Sequence, residues 1–579
     1  IYTASVTAIG NFNIDYNCYY GPTYVGYAGS ALTTLADFQS AVSSDMHSVN
    51  INPSFIDVSN DLKLNTYTGL NCPRYPTVNH DFEDTPRSIF NYMGCYTAPL
   101  VSVNAALVSV LHVDFPANIG DTSQLEIVLL NGGIQPITSA DINWSFNGVA
   151  QTSVHWTGNL SSQNTDTFSL GSVIYHGGYN DVVVWLSGIG SLVDTIPFDD
   201  TVKTSTYACY DSLSGEFILG KGPGADVSSM QEAFYIASLC GVNGDITLKL
   251  QHDTYKENWN FTNLSDIMGS HTLTITSLSE NRDSVVLQPL GGVGIVLNNT
   301  QNLVIKNITI NTYISNAYGV EFTGDASNVE FRNNVFLSDT MGVSSATSAA
   351  PIYKASSTGL ANDVRFIGNY ISGGYYGLYF YAGTGSTARG INNVVDSNTF
   401  LRQAYYATYF YYTNFTSVSN NKCSDRSVNG ANYWYGLRFY YCNASLVNAN
   451  IIQSYNLKTG YKYGMYCYYM DSSLVSNNTI HLTHEGTTAY GLYVYYTKSI
   501  EVINNTVLVD GSVGSTHYGL YLYTGSTSYN GVLQNNILIT TGASTCYPIC
   551  ATSTTAIGNF NIDYNCYYGP VYVGYIAAA

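Results

Sequence analysis

The stretch VEFRNNVFL (329–337) packs two short strands around an Asn pair within nine residues. Val329 and Phe331 alternate with charged residues, as one buried face of a strand requires. The Asn-led second half recurs down the chain. It reads NITI at Asn307, NVFL at Asn334, NYIS at Asn369, NTFL at Asn398 and NKCS at Asn421. It continues as NIIQ at Asn450, NTIH at Asn478, NTVL at Asn505, NILI at Asn536 and NCYY at Asn565. Successive Asn lie 23 to 35 residues apart. A unit this short cannot bury a face alone, whereas a stack of units can. The period predicts one coil of a right-handed parallel β-helix, with coils about 4.8 Å apart. The ten Asn should occupy one inward corner and bond to each other from coil to coil. Some of these stretches also contain N-x-S/T sequons, but the period accounts for all ten and the sequon for a few.

A second column accompanies the first: YYGLYFY (375–381), YYATYFY (405–411), YWYGLRFY (433–440), YKYGMYCY (461–468), AYGLYVY (489–495) and HYGLYLY (517–523). Alternation turns Leu378, Thr408, Leu437, Met465, Leu492 and Leu520 inward, with the residue two places on. It turns Tyr379, Tyr409, Arg438, Tyr466, Tyr493 and Tyr521 outward, together with Tyr381, Tyr411, Tyr440, Tyr468, Tyr495 and Tyr523. Eleven tyrosines in two outward stripes exceed the patch a monomer ordinarily exposes. Tyr buries area while keeping its hydroxyl satisfied, so the stripes are expected to contact other copies of the chain. Adhesion to cell-surface glycans is the other partner considered.

Composition narrows the function. The 579 residues hold 53 Tyr and 52 Gly, only 10% charged residues, and a net charge of −19. Nucleic-acid binding, which needs clustered Lys and Arg, is not expected. No apolar run of about 20 residues predicts a membrane span. Eleven Cys in a Tyr- and Gly-rich chain point to an oxidising, extracellular setting. Three pairs are candidate disulfides: Cys209 with Cys240, Cys72 with Cys95, and Cys546 with Cys550.

Three regions differ in texture. Residues 98–203 carry alternating strands such as LEIVLL (125–130), INWSF (142–146) and DVVVWL (181–186). Asn147-Gly148 marks a type I′ hairpin. This is the pattern of an Ig-like β-sandwich spacer, with Trp144 and Trp156 in its core. In GPGADVSSMQEAFYIASLCG (222–241), Asp226 is the expected N-cap and Gly241 the stop. Met230, Ala233, Phe234, Ala237 and Leu239 mark the buried face of a helix capping the solenoid that occupies 204–579. Residues 1–97 should close a preceding solenoid. TAIGNFNIDYNCYYGP (7–22) returns letter for letter at 555–570, and Asn17 and Asn565 are 548 residues apart. The fold expected is all-β: a right-handed parallel β-helix with an N-terminal capping helix, plus the sandwich. The chain reads as one period of a tandem array.

The run DYNCYY (15–20), TTLADFQ (33–39), VNINPSFID (49–57), DLKL (61–64), DFEDTPR (81–87) and MGCY (93–96) resembles the closing segment of secreted bacterial right-handed β-helix repeat proteins. It departs from their pattern at Phe38, where Trp is usual, and in DFEDTPR, which lacks a Gly. The resemblance covers most of 1–97 and 204–579. It implies a giant surface protein exported by the type IX route, an adhesin or filament, with grappling-hook appendages as one form. Residues 98–203 resemble the adhesion modules that space such proteins.

Chemistry is sparse. A glycosidase needs two carboxylates across a cleft. Asp363, Asp396, Asp425, Asp471 and Glu485 fall at different offsets from the repeated Asn. His481, His484 and Glu485 in HLTHEG come nearest to a metal cluster but lack zincin spacing, and are expected in a solvated turn. No enzymatic activity, cofactor or metal is expected. The function expected is a structural repeat of an extracellular filament or adhesin; the alternative is a carbohydrate-binding or polysaccharide-cleaving β-helix.

Overall fold

The computed structural model describes all residues except 1, 4–13, 21–24, 29–30, 43–46, 58, 60, 66, 68, 76, 88–89, 98–99, 198, 210–211, 314–317, 341–349, 356–358, 386–387, 427–430, 456–459, 513, 524–529 and 578–579. Most of the first copy of the repeated words therefore lies outside the described residues. The chain forms two compact units, 1–211 and 212–579.

The second unit is a right-handed β-solenoid of about 11 turns. Each coil contributes one strand to each of three parallel sheets. The first sheet has fourteen strands and runs from Leu213–Leu219 to Phe560–Asp563. The second has twelve, from Asp253–Tyr255 to Cys566–Tyr568. The third also has twelve, from Trp259–Asn260 to Tyr575–Ile576. Parallel register carries Val329 onto Val364 and Phe331 onto Phe366, so like residues stack in the core. Phe331 and Phe366 lie 5.7 Å apart and nearly parallel.

Nine of the ten Asn form a continuous ladder at the corner between the first and second sheets. The Oδ1 of Asn369, Asn398, Asn421, Asn450, Asn478, Asn505, Asn536 and Asn565 each accepts from the backbone N–H of the preceding ladder Asn, at 2.9–3.0 Å. The Nδ2 groups donate back to a carbonyl one coil earlier, as from Asn334 to Ile305 at 2.8 Å. This satisfies polar groups that the dry corner would otherwise strand. Asn307 does not belong to the ladder. The residue stacked on Asn334 is Ile308, whose N–H donates to Asn334 Oδ1. Asn307 sits one place earlier, at φ 56°, and accepts from Asn333 Nδ2 at 2.7 Å. That neighbouring column holds Asn333, Asn420, Asn477, Asn504 and Asn535, all with positive φ, which Asn tolerates better than most residues.

The helix Met230–Cys240 lies at the head of the solenoid, with Phe234 edge-on to Phe261. Its N-cap is Ser229, whose side chain accepts from the Glu232 N–H. Asp226 is drawn away instead, accepting from the Ile218 N–H at 2.7 Å. Gly241 ends the helix at φ 74°, and the buried face is Met230, Ile236 and Ala237. Among the described residues no helix is long and apolar enough to cross a membrane.

The first unit contains two sheets sharing one core, antiparallel except where Ala117–Asn118 pairs parallel with Thr201–Cys209, and in that core Leu125, Ile127, Trp144, Trp156, Val182 and Val184 are buried. Asn147 and Gly148 both have positive φ and close a hairpin that pairs Phe146 with Val149, as a type I′ turn requires. Further toward the N-terminus, Phe38 is fully buried against Tyr19.

Cys209 and Cys240 are disulfide-bonded. The expected pairs Cys72–Cys95 and Cys546–Cys550 are not formed; all four are free thiols. Cys546 and Cys550 lie on one extended strand, four residues and so about 13 Å apart, beyond the roughly 7 Å a disulfide spans. Cys72 faces Asn91 across a strand pair, and Cys95 lies exposed beyond it.

Burial also sets a pH response in the first unit. It pushes the Asp199 carboxyl up to about 7, against the hydrogen bond from Asn104, and Asp200 up to about 6. These folded values exceed the unfolded value, so the native state binds the proton more tightly. Stability of this unit should therefore fall as pH rises from about 4 to about 7. Asp199→Asn keeps the acceptor for Asn104 and cannot ionise. Its melting temperature is expected to exceed that of the parent at pH 8 and to match it near pH 4. Equal slopes for the two proteins across that range would sink this account.

Candidate functional site: a tyrosine-faced sheet

The third sheet turns a dense field of tyrosine outward. Its strands Tyr461–Tyr468, Thr488–Tyr495 and Thr516–Tyr523 do not alternate throughout. Gly and the following apolar residue, as in Gly464-Met465, both face inward. The glycines stand where a Cβ would strike the next coil: at Gly464 it would lie 2.6 Å from the Gly491 carbonyl oxygen. This inward step turns the residue before Gly outward as well.

Three further tyrosine columns result, besides the two expected. One is Tyr376, Tyr406, Tyr435, Tyr463, Tyr490, Tyr518 and Tyr547, in register from coil to coil. Another is Tyr412, Tyr441, Tyr469 and Tyr496, each at a corner with φ between 45° and 52°. The third comprises Tyr375, Tyr405, Tyr433 and Tyr461. The recurrent Tyr-Gly pair is the signal that marks the first of these. Of the expected columns, Tyr379, Tyr409, Tyr466, Tyr493 and Tyr521 are half-buried, as are Tyr411, Tyr440, Tyr468, Tyr495 and Tyr523. Tyr381 is buried rather than outward, because the rings of Tyr411 and Tyr412 cover it.

Ring geometry defines what this face offers. Within the columns of Tyr463 and Tyr466 the rings are nearly parallel: Tyr466 to Tyr493 is 4.9 Å at 6°, and Tyr463 to Tyr490 is 4.9 Å at 7°, whereas Tyr411 stands edge-on to its column neighbours, at 89° to Tyr381 and 64° to Tyr440. Carbon atoms in contact need only about 3.5–4.0 Å, so the rings must lean by about 40° to close the gap. The columns of Tyr463 and Tyr466 meet at right angles, 87° for Tyr463 with Tyr466 and 89° for Tyr490 with Tyr493. These two columns therefore lean in opposite directions, a herringbone of offset-stacked and edge-to-face contacts, whereas the columns of Tyr466 and Tyr468 lean together, at 6° for Tyr466 with Tyr468 and 9° for Tyr493 with Tyr495. Where the rings stack, as from Tyr463 to Tyr518 and from Tyr466 to Tyr521, each inner ring face is covered by its neighbours, and what remains outward is rows of ring edges and hydroxyls at the coil repeat. Burial pushes the phenols of Tyr376, Tyr466 and Tyr518 up to about 12, so the face stays uncharged at neutral pH.

One cation interrupts it. Arg438 takes the place of a tyrosine between Tyr409 and Tyr466. Its guanidinium lies 4.2 Å from the Tyr409 ring centroid and within 5.5 Å of Tyr406, Tyr435, Tyr440 and Tyr466. Burial opposes its charge, but the surrounding phenols hold its pKa above the usual value. Such contacts are worth about 2 kcal/mol where water is excluded.

The groups considered for chemistry are dispersed. Asp425 is buried inside the coil, accepting from Ser454 Oγ at 2.6 Å, with Lys462 Nζ at 3.9 Å. Burial lowers Lys462 and Lys354 to about 8. His484 is fully enclosed rather than solvated, and burial drives its pKa down to about 3. His481 instead pairs with Asp510 at 3.3 Å. Asp396 accepts from Asn420 Nδ2 and Asp471 from the Lys498 N–H. Among the described residues no three His, Cys, Asp or Glu side chains gather as a metal ion would require.

Residues 352–538 match the right handed beta helix region family. No curated protein matches the chain. Similar solved structures include the mannuronan C-5 epimerase A-module of Azotobacter vinelandii, 13% identical with a TM-score of 0.33, covering 59% of this chain and 94% of that one. The lacto-N-biosidase of Eubacterium ramulus is 10% identical with a TM-score of 0.30, covering 61% and 67%. The catalytic domain of an α-1,3-glucanase is 9% identical with a TM-score of 0.23, covering 80% and 96%. These findings correct the expectation of a chain without enzymatic activity. All three of these similar structures are named as enzymes. At these identities the likeness concerns the fold alone.

Proposed function

We propose that the chain is a structural module of a long extracellular assembly, a surface filament or adhesin, and that its tyrosine-faced sheet is the lateral contact between copies. The herringbone supports this reading. Stacking against sugar rings needs open aromatic faces, and inside the stacked columns the faces are already covered. Rows of hydroxyls and ring edges repeating every coil match a partner with the same repeat, which another copy of the solenoid supplies.

The repeated words support a tandem arrangement. Tyr16 has φ 55° and Tyr564 φ 54°. Each donates its N–H to the preceding Asp, at 3.0 and 2.9 Å. Asn17 and Asn565 each donate Nδ2 to that Asp's carbonyl. Asn17 thus adopts a ladder conformation, and its N–H donates at 2.6 Å to Ser48 Oγ, where a further ladder Asn would stand. A ladder ending on Ser48 fits a closing segment, with 548 residues as the period.

The test is replacement of Tyr409, Tyr466 and Tyr493 by Ser. Side-by-side association seen by electron microscopy and sedimentation is expected to disappear while the solenoid's circular dichroism persists. Bundles that survive unchanged would show that this sheet is not the contact.

A further inference from the structure

The outward column through Arg438 can be followed coil by coil from its start. It reads Asn260, Val296, Glu321, Tyr353, Tyr379, Tyr409, Arg438, Tyr466, Tyr493, Tyr521, Cys550 and Tyr575. It contains one carboxylate and one cation, four coils and so about 19 Å apart. They cannot reach each other. Glu321 is half-buried, and burial alone pushes its carboxyl up, with no cation offsetting it. Arg438 is ringed by phenols, and its Nε is buried without an acceptor. Each is a charge of the kind that is stabilised when an opposite charge is brought to it.

We propose that a second copy docks antiparallel on this sheet, about a two-fold axis at Tyr379, so that Glu321 of each copy meets Arg438 of the other. This deepens the self-association reading and rests on it. The symmetry follows from the spacing. Tyr379 is midway between the two charges, so one two-fold operation makes both ion pairs at once and sets Tyr353 over Tyr409. Such an isologous contact closes on itself. Parallel pairing in register would set Glu321 on Glu321 and Arg438 on Arg438. A parallel stagger would make one pair and leave the other two charges alone. The antiparallel overlap runs from the coil of Trp259 to the coil of Tyr493, about 38 Å. Across a face about 20 Å wide this is roughly 750 Å² per copy, close to the 800 Å² or so of a standard interface.

Sedimentation equilibrium of the full chain tests the register. E321R and R438E are each expected to weaken dimerisation by about tenfold or more, and the double variant E321R/R438E to return within about threefold of the parent. A second measurement does not depend on affinity. In R438K, carbodiimide should join Glu321 of an isotope-labelled copy to the introduced amine of an unlabelled one. If both single reversals dimerise like the parent, or links avoid Glu321, the antiparallel register is wrong. Loss of association in the Tyr-to-Ser variant would then still uphold the contact face. A chain that stays monomeric at high concentration overturns both.

Discussion

Asn450→Ala is expected to cost about 3–5 kcal/mol of solenoid stability, more than any single change on the tyrosine face. Asn450 is fully buried, and its amide serves three neighbours. Its Oδ1 accepts from the N–H and the Nδ2 of Asn421, both at 3.0 Å. Its Nδ2 donates to the Val418 carbonyl at 2.8 Å and to Asn478 Oδ1 at 2.9 Å. Alanine leaves the Asn421 N–H buried without a partner, costing about 1–3 kcal/mol, takes one donor each from the Val418 carbonyl and Asn478 Oδ1, and opens a gap that no water reaches in a corner this closely packed. Asn450→Asp is expected to be worse at neutral pH. It keeps the acceptor but sets a carboxylate oxygen against the Val418 carbonyl and Asn478 Oδ1. Because each ladder residue orients the next, the loss should spread along the stack. Hydrogen exchange is expected to speed up in the coils of Asn421 and Asn478 as well as in that of Asn450. Thermal unfolding of the variants measures the cost. A shift no larger than that of Tyr466→Ser would mean the ladder is not the corner's principal support.

The period was legible because it is a local property: one Asn, two short apolar alternations and a turn fit within each unit. The frame of the ladder was less so. Where two Asn adjoin, as at 333–334, 420–421 and 477–478, the second is the ladder residue and the first takes positive φ. At 307 a single Asn adjoins Ile308, and only the backbone conformation shows which position it fills. The tyrosine face was half legible for a similar reason. Alternation counted correctly from Met465 or Leu492 toward the C-terminus, but failed at Tyr381 and across the preceding glycine, where the strand turns two residues inward. The Cys546–Cys550 pair failed because both lie on one extended strand, and Asp226 was captured by the nearby Ile218 N–H, whereas the enclosure of His484 depends on coils far apart in sequence. The relation of Glu321 to Arg438 likewise needed the register of successive coils before their common column could be seen.

The glycine column carries the second large effect. Gly491→Ala is expected to destabilise the solenoid by about 2–4 kcal/mol, although Ala is the smallest possible addition. A Cβ there would lie 2.2 Å from Val507 Cγ1, 2.7 Å from the Gly519 carbonyl oxygen and 3.3 Å from Val509 Cγ2. The valine could rotate, but the Gly519 oxygen belongs to the next coil's ladder and cannot move without breaking it. The strand must shift instead, and the shift falls on the step that sets Tyr490 and Tyr493 at right angles. Gly491→Ala should therefore lower the melting temperature and also weaken the near-ultraviolet circular dichroism of the coupled tyrosines. Gly558→Ala is the matched control. It lies in the short helix Thr554–Gly558, and an added Cβ meets nothing within 4 Å. That change should be neutral or slightly stabilising, by up to about 1 kcal/mol. If the two alanines prove equally mild, the glycines are not needed for the inward step, and the herringbone must owe its geometry to the rings alone.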